Sequence, residues 1–284
     1  ILSIPASAQI QLGADIDGEA AVDEAGRSVS LSSDGTTLAI GAIGNDGNGN
    51  GYDAGHVRVY EDSSGTWVQI GSDIDGEAAN DQSGKSVSLS SDGTIVAIGA
   101  WQNGGSGTIA GHVRVYEDSS GTWVQIGSDI DGEAADDGSG GSVSLSSDGT
   151  IVAIGASGND GTASGAGHVR VYEDSSGTWV QIGSDIDGEA ANDQSGKSVS
   201  LSSDGTIVAI GAWQNGGSGT IAGHVRVYED SSGTWVQIGS DIDGEAMADI
   251  SGTSVSLSSN SNFVAIGAPN NNGNASGAGH VRVY

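Results

Sequence analysis

Five acidic loops contain the residues of this chain whose types and spacing best suit ligand chemistry. The segment Asp-Ile-Asp-Gly-Glu occurs five times, and each copy places two aspartates and one glutamate close together. Ca²⁺ takes about six to eight oxygen ligands, which clustered carboxylates supply. The loops are therefore predicted cation sites with Ca²⁺ as the candidate ion, and their residues are Asp15, Asp17, Glu19, Asp73, Asp75, Glu77, Asp129, Asp131, Glu133, Asp185, Asp187, Glu189, Asp241, Asp243 and Glu245.

The same carboxylates have a second interpretation. They can accept backbone N–H bonds in turns, or pair with the arginine of the recurring segment His-Val-Arg-Val-Tyr. The loops also lack the third aspartate that an EF-hand places two positions further on. Structural capping is therefore the alternative to metal binding.

The histidines and two of the tryptophans are the other candidate binding residues. All five histidines begin the segment His-Val-Arg-Val-Tyr, and their wide separation around a repeating fold predicts a structural role. Trp101 and Trp213 occur in only two repeats, at the start of a long loop. Such a ring could stack on a sugar, which predicts a ligand site, or it could shield a junction between repeats.

Internal repetition determines which elements must position these residues. The string DIDGEA begins at residues 15, 73, 129, 185 and 241, so the period is 58 and then 56 residues. Residues 71–126 and 183–238 are identical. Regular periods of this length indicate propellers or solenoids.

Each repeat contains four predicted strands. In residues 67–116 these are WVQIG, SVSLS, TIVAIGA and HVRVY, which alternate or are short and apolar. The connections SDG and EDSSG are typical of tight hairpins. The predicted fold is all-β, a five-bladed β-propeller of four-stranded antiparallel blades.

The chain ends predict how the last blade is completed. Residues 9–13, QIQLG, resemble the WVQIG strand, whereas the final HVRVY segment has no such strand after it. We therefore expect the N-terminal strand to complete the last blade, or alternatively the last blade of a second copy in a homopolymer. Residues 9–284 form one predicted propeller domain, and residues 1–8 resemble a signal-peptide remnant or an N-terminal extension.

Charge excludes some partners. The chain has 37 acidic and 8 basic residues and a formal net charge of −29, which repels nucleic acid. No apolar stretch is long enough to insert into a membrane. The expected partners are an extracellular protein, a glycan, or the chain itself.

The repeat resembles the FG-GAP repeats of integrin-α-like β-propellers, in their bacterial secreted form. The stretch from GSDIDGEA to SSDGTIVAIGA and the following AGHVRVY carry the resemblance, and Gly267, Ala268 and Pro269 spell the GAP itself. The aromatic residue of the FG pair is replaced by Ala25 and by serines at the other repeats. The hairpin SSDG is too short for the calcium loop of the family, so that site does not carry over.

Repetition also shapes the functional expectation. A single active site needs groups that break the five-fold pattern, and unique residues such as Tyr52, Glu24 and Arg27 are few. The sequence therefore predicts a secreted or cell-surface binding or adhesion module and no enzyme. The alternatives are a subunit of an extracellular filament polymerised by strand exchange, a lectin-like carbohydrate binder, and a designed repeat protein.

Overall fold

The fold is built from short strands. The computed structural model describes residues 10–47, 49–217 and 219–284, and within these ranges it contains 23 strands in five sheets. The leader-like residues 1–8 lie outside the described ranges. No helix among the described residues is long and apolar enough to cross a membrane.

Each sheet is one blade and each blade follows the next along the chain. Blade 1 comprises β1 (Ala25–Leu31), β2 (Thr37–Ala42), β3 (His56–Asp62), β4 (Trp67–Gln69) and β5 (Ile74–Asp75). Blade 2 comprises β6 (Ser83–Leu89), β7 (Ile95–Ala100), β8 (His112–Asp118), β9 (Trp123–Gln125) and β10 (Ile130–Asp131). Blade 3 comprises β11 (Ser142–Leu145), β12 (Ile151–Ala156), β13 (His168–Asp174), β14 (Trp179–Gln181) and β15 (Ile186–Asp187). Blade 4 comprises β16 (Ser195–Leu201), β17 (Ile207–Ala212), β18 (His224–Asp230), β19 (Trp235–Gln237) and β20 (Ile242–Asp243), and blade 5 comprises β21 (Ser254–Leu257), β22 (Val264–Ala268) and β23 (His280–Val283).

Strand order within a blade is sequential and antiparallel. Blade 1 runs β1-β2-β3-β4, and β5 pairs with the other end of β3. The predicted all-β, five-bladed propeller is confirmed. The short fifth strand is an addition to the predicted four, because the acidic loop itself contributes Ile74 and Asp75 to the sheet edge.

The apolar strand faces pack between neighbouring blades. Val57 and Ile74 of blade 1 contact Val87 and Ile98 of blade 2 in one cluster of buried residues. The middle strand is buried along nearly all of its length, which explains its continuous apolar run IVAIGA. Blade-to-blade packing therefore holds the fold together.

The first strands of the blades surround one axis. The backbone N–H of Leu89 donates to Ser30 Oγ in the preceding blade at 2.9 Å, and the same bond recurs at each following junction. At one end of the axis, a pocket of about 230 Å³ is lined by the last residues of these strands, Leu31, Leu89, Leu145, Leu201 and Leu257.

The chain ends differ from the predicted closure. Residues 10–13 form no strand, and blade 5 has three strands within the described residues. The carbonyl of Leu12 instead accepts a bond from Trp67 Nε1 at 3.1 Å, as Ile70 does from Trp123. Val281 lies in β23, the edge strand of blade 5, and is 69% exposed. The expected pairing of the N-terminal strand with blade 5 is absent from the described residues, although Leu12 lies against Trp67 as Ile70, just after the outer strand of blade 1, lies against Trp123 of the next blade.

Candidate functional site

Four Glu–His–Asp groups lie at the edges of blades 1 to 4. In each group, a glutamate from one acidic loop and an aspartate from the next loop meet the histidine that begins the third strand of the blade. One ligand atom from each residue lies within 4.8 Å of the others. The groups are Glu19, His56 and Asp73; Glu77, His112 and Asp129; Glu133, His168 and Asp185; and Glu189, His224 and Asp241.

The spacing of the donor atoms suits a metal ion. In the first group, His56 Nδ1 lies 3.8 Å from Glu19 Oε2 and 3.8 Å from Asp73 Oδ2, too far for hydrogen bonds. A point equidistant from three such atoms lies roughly 2.2–2.5 Å from each, which overlaps the metal–ligand distances of common divalent ions. Two carboxylates and an imidazole therefore surround a space that a divalent metal ion could occupy.

The histidine of each group is buried and neutral. His56, His112, His168 and His224 are each 1% exposed, and Nδ1 of His56 has no hydrogen-bond partner. Burial lowers the pKa of His112, and Arg114 lowers it further, although Asp129 and Glu77 act in the opposite direction. A neutral imidazole is the form that binds metal.

Hydrogen bonds fix the carboxylates of the group. Asp73 Oδ1 accepts a bond from Gln69 Nε2 at 2.7 Å, which leaves Oδ2 facing the histidine. Glu19 Oε1 lies 3.9 Å from Arg58 Nη1, so that its other oxygen faces His56. The backbone N–H of Glu19 donates to Asp23 at 3.0 Å, which holds the turn.

The structure distributes each predicted loop over two groups. Asp73 joins the blade 1 group, whereas Glu77 of the same loop joins the blade 2 group. The second aspartates lie in neither group, and the backbone carbonyl oxygens of Asp17, Asp75, Asp131, Asp187 and Asp243 accept bonds from the arginines.

Two predicted residues, Glu245 and Asp15, lie outside the four groups. Glu245 Oε2 lies 3.6 Å from His280 Nδ1 without an aspartate beside them. Asp15 lies at the opposite end of the described chain, where Gln11 donates to it at 2.8 Å as Gln69 does to Asp73.

A cleft opens on the blade 1 group. Its volume is about 260 Å³, and its lining includes both carboxylates of the group, Glu19 and Asp73. Asp46 and the exposed Tyr52 also line the cleft, and the corresponding loop of blade 2 has Gly104 in place of Asp46. Blade 3 carries Asp160 at the position of Asp46, so the feature specific to blade 1 is its longer loop, which contains Tyr52.

The predicted ligand residues Trp101 and Trp213 are engaged within the chain. Trp101 Nε1 donates to Gln82 Oε1 at 2.8 Å, and Lys85 Nζ lies 5.1 Å from the ring centroid. Trp213 makes the same contacts with Gln194 and Lys197. Sequence analysis did not single out the two lysines, although their shared repeat position was a signal that could have found them.

Comparisons with known proteins give a fold but no family. No family model matches the chain, and no curated protein sequence matches it. A solved structure from Bacteroides uniformis, described as a candidate 6-phosphogluconolactonase, has 14% identity and a TM-score of 0.58, covering 90% of this chain and 71% of that chain. The periplasmic gluconolactonase PpgL of Pseudomonas aeruginosa has 18% identity and a TM-score of 0.54, covering 84% of this chain and 64% of that chain.

These neighbours overturn the functional expectation. The non-catalytic binding or adhesion module, its filament, lectin-like and designed-repeat alternatives, and the absence of enzyme activity were wrong, because both neighbours carry the names of lactonases. Repetition of the sequence does not exclude a single site, because a repeating scaffold becomes asymmetric when one loop changes, as the longer loop with Tyr52 illustrates.

Proposed function

We propose that this chain is a metal-dependent hydrolase of a neutral sugar lactone, acting at the blade 1 cleft. The observation that carries the proposal is the cleft itself, which opens on Glu19 and Asp73 in front of a buried neutral histidine. The names of the two fold neighbours support the reaction class. Their identities, 14% and 18%, leave the site residues to be argued from this chain.

The donor set favours an ion that accepts both nitrogen and oxygen. Imidazole suits Zn²⁺ and related transition metals, whereas Ca²⁺ prefers oxygen ligands alone. We therefore propose Zn²⁺ or Mn²⁺ at Glu19, His56 and Asp73, with Ca²⁺ as the comparison ion. Such an ion supplies Lewis-acid polarisation of an ester carbonyl.

The remaining cleft residues have separate roles in this proposal. Asp46 lines the cleft outside the Glu–His–Asp group, so its carboxylate is placed to take a proton from an attacking water. Tyr52 is 67% exposed at the rim, where its ring can stack on a sugar face. Asp23 is buried and holds the turn that presents Glu19.

The charge of the cleft favours one of the two lactones in the neighbours' names, which are a phosphorylated and an unphosphorylated gluconolactone. Glu19, Asp23, Asp46 and Asp73 all line the cleft, and the chain carries a net charge of −29. A phosphorylated lactone would be repelled by these carboxylates. We therefore propose a neutral lactone as substrate.

The proposal extends to location. The periplasmic address of one neighbour supports an exported protein. Secretion or surface display stays a proposal.

A lactone hydrolysis assay tests the function. We expect metal-stripped protein to accelerate the opening of glucono-1,5-lactone above its spontaneous rate, measured in a pH-stat, only after Zn²⁺ or Mn²⁺ is added. Asp46→Asn should lower kcat by about 100-fold without loss of bound metal, because a general base contributes roughly that much. Asp73→Asn should lose both the metal and the rate.

The matched control is Glu117→Gln, which removes an exposed carboxylate from a hairpin far along the strand from the acidic loops. It should retain the wild-type rate. The proposal is wrong if no ion produces hydrolysis above the spontaneous rate, or if Asp73→Asn matches the wild type. Faster hydrolysis of 6-phosphogluconolactone than of the neutral lactone would contradict the proposed selectivity.

A further inference from the structure

Three cations occupy the same repeat position on the strands that surround the propeller axis. Arg27, Lys85 and Lys197 are each the third residue of the first strand of their blade. The equivalent positions in blades 3 and 5 are Gly141 and Thr253. We call Arg27, Lys85 and Lys197 the axial cation group.

The axial cation group contains every cation outside the recurring His-Val-Arg-Val-Tyr segments. The chain has eight lysines and arginines, and the other five are the arginines of those segments. Each of those five lies 3.7–4.0 Å from the glutamate of its Glu–His–Asp arrangement. The chain has 37 acidic residues, and its three cations that lack this repeated glutamate partner all hold the same repeat position.

The two lysines are held in place before any ligand binds. Lys85 Nζ lies 5.1 Å from the ring centroid of Trp101, and Lys197 Nζ lies 5.9 Å from that of Trp213. Each indole is fixed in turn by a bond to a glutamine, Gln82 at 2.8 Å or Gln194 at 2.7 Å. A preorganised cation loses less side-chain entropy on binding.

The cations are close enough to repel one another. Burial lowers the pKa of Lys85, and Arg27 and Lys197 lower it further, while Glu24 acts in the opposite direction. Glu24 also lies 4.0 Å from Arg27, in an exposed pair that offsets little charge. Three cations and one carboxylate leave a local charge of about +2, which a dianion would neutralise.

We propose that the axial cation group binds a small polyanion, such as a phosphate-bearing or polycarboxylate metabolite. The group lies near the starts of the first strands, whereas the leucine-lined pocket lies at their ends. The site is distinct from the blade 1 cleft and does not depend on hydrolysis there. The acidic surface of the chain repels long polyanions such as nucleic acid. A small anion bound at the group would meet Lys85 and Lys197 from two blades.

Calorimetric titration with inorganic phosphate and with citrate tests this proposal. Wild-type protein should bind both anions, at constant ionic strength set with KCl. Lys85→Gln combined with Lys197→Gln should weaken binding by roughly 100-fold, because each lost charge-assisted contact lowers the affinity by about tenfold. Thr253→Lys should tighten binding, since it adds a cation at the equivalent position of blade 5.

A charge-matched control separates a local site from the overall field. Thr66→Glu combined with Thr178→Glu changes the net charge by the same amount, on exposed hairpins of the outer strands. This control should bind phosphate within about twofold of the wild type, since exposed charges beyond a Debye length are screened. Absence of anion binding to the wild type, or equal weakening by both double variants, would overturn the proposal. Wild-type affinity in the lysine double variant would also overturn it.

Discussion

Gly155→Ala is expected to lower the free energy of unfolding by about 3 kcal/mol, at the upper end of the usual cost of overpacking. Gly155 lies in β12, and a Cβ there would overlap the carbonyl oxygen of Gly196 in the next blade and the hydroxyl of Ser142. That hydroxyl donates to the same carbonyl at 2.8 Å. The substitution therefore forces two blades apart and disturbs a bond between them. Urea denaturation followed by circular dichroism measures the change.

Gly267→Ala is the matched control. Gly267 holds the same repeat position in blade 5, where the added Cβ would meet Ser254 but no backbone atom of a following blade. We expect a loss of about 1 kcal/mol, because a side-chain hydroxyl can rotate away whereas a packed backbone cannot. Equal losses for the two variants would contradict the idea that close blade-to-blade packing requires this glycine.

Acid should destabilise the fold in a window that begins at about pH 6.5 and extends to lower pH. Burial lowers the pKa of His168, and Arg170 adds to this effect, against Asp185 and Glu133; His56, His112 and His224 also have lowered pKa values. Below about pH 6.5 the unfolded chain therefore binds more protons than the folded one, so stability falls as the pH falls. Each histidine contributes up to about 1.4 kcal/mol per pH unit until its folded form also titrates.

The hairpin aspartates do not act in that window. Hydrogen bonds from the Ser202 side chain, and from the backbone and side chain of Thr206, lower the pKa of Asp204 from 3.8, so its contribution is lost only at lower pH. Thermal melts across the window measure the histidine effect, and His168→Gln should make the slope shallower. An unchanged melting temperature from pH 6.5 to pH 4.5 would contradict neutral burial of the histidines.

The repeat period and strand patterns made most of the fold predictable. Alternation in SVSLS and the apolar run in TIVAIGA correctly indicated two strands, and the structure shows the second of them to be buried along nearly all of its length. The fifth strand was not predictable, because Ile74 and Asp75 are too short a segment to show a period. The similarity of residues 10–13 to WVQIG agrees with one contact, because Leu12 accepts the bond from Trp67 that Ile70 accepts from Trp123, but it did not predict that residues 10–13 form no strand.

The candidate site was predictable by residue type but not by grouping. The acidic loops do supply metal-type ligands, yet Asp73 and Glu77 diverge because the loop crosses from one blade to the next. Spacing along the chain contains no information about that crossing. Each of the four groups contains a single histidine, which meets two carboxylates that come from separate repeats.

The metal content of the purified protein tests the central claim, that the Glu–His–Asp groups bind divalent ions. After equilibrium dialysis against Zn²⁺ and elemental analysis, we expect about four ions per chain, one for each of the four groups. Asp129→Asn should bind one ion fewer, and the melting temperature should rise with Zn²⁺ concentration. A chain that binds no ion at micromolar Zn²⁺, Mn²⁺ or Ca²⁺, or an Asp129→Asn variant with unchanged stoichiometry, would contradict the claim.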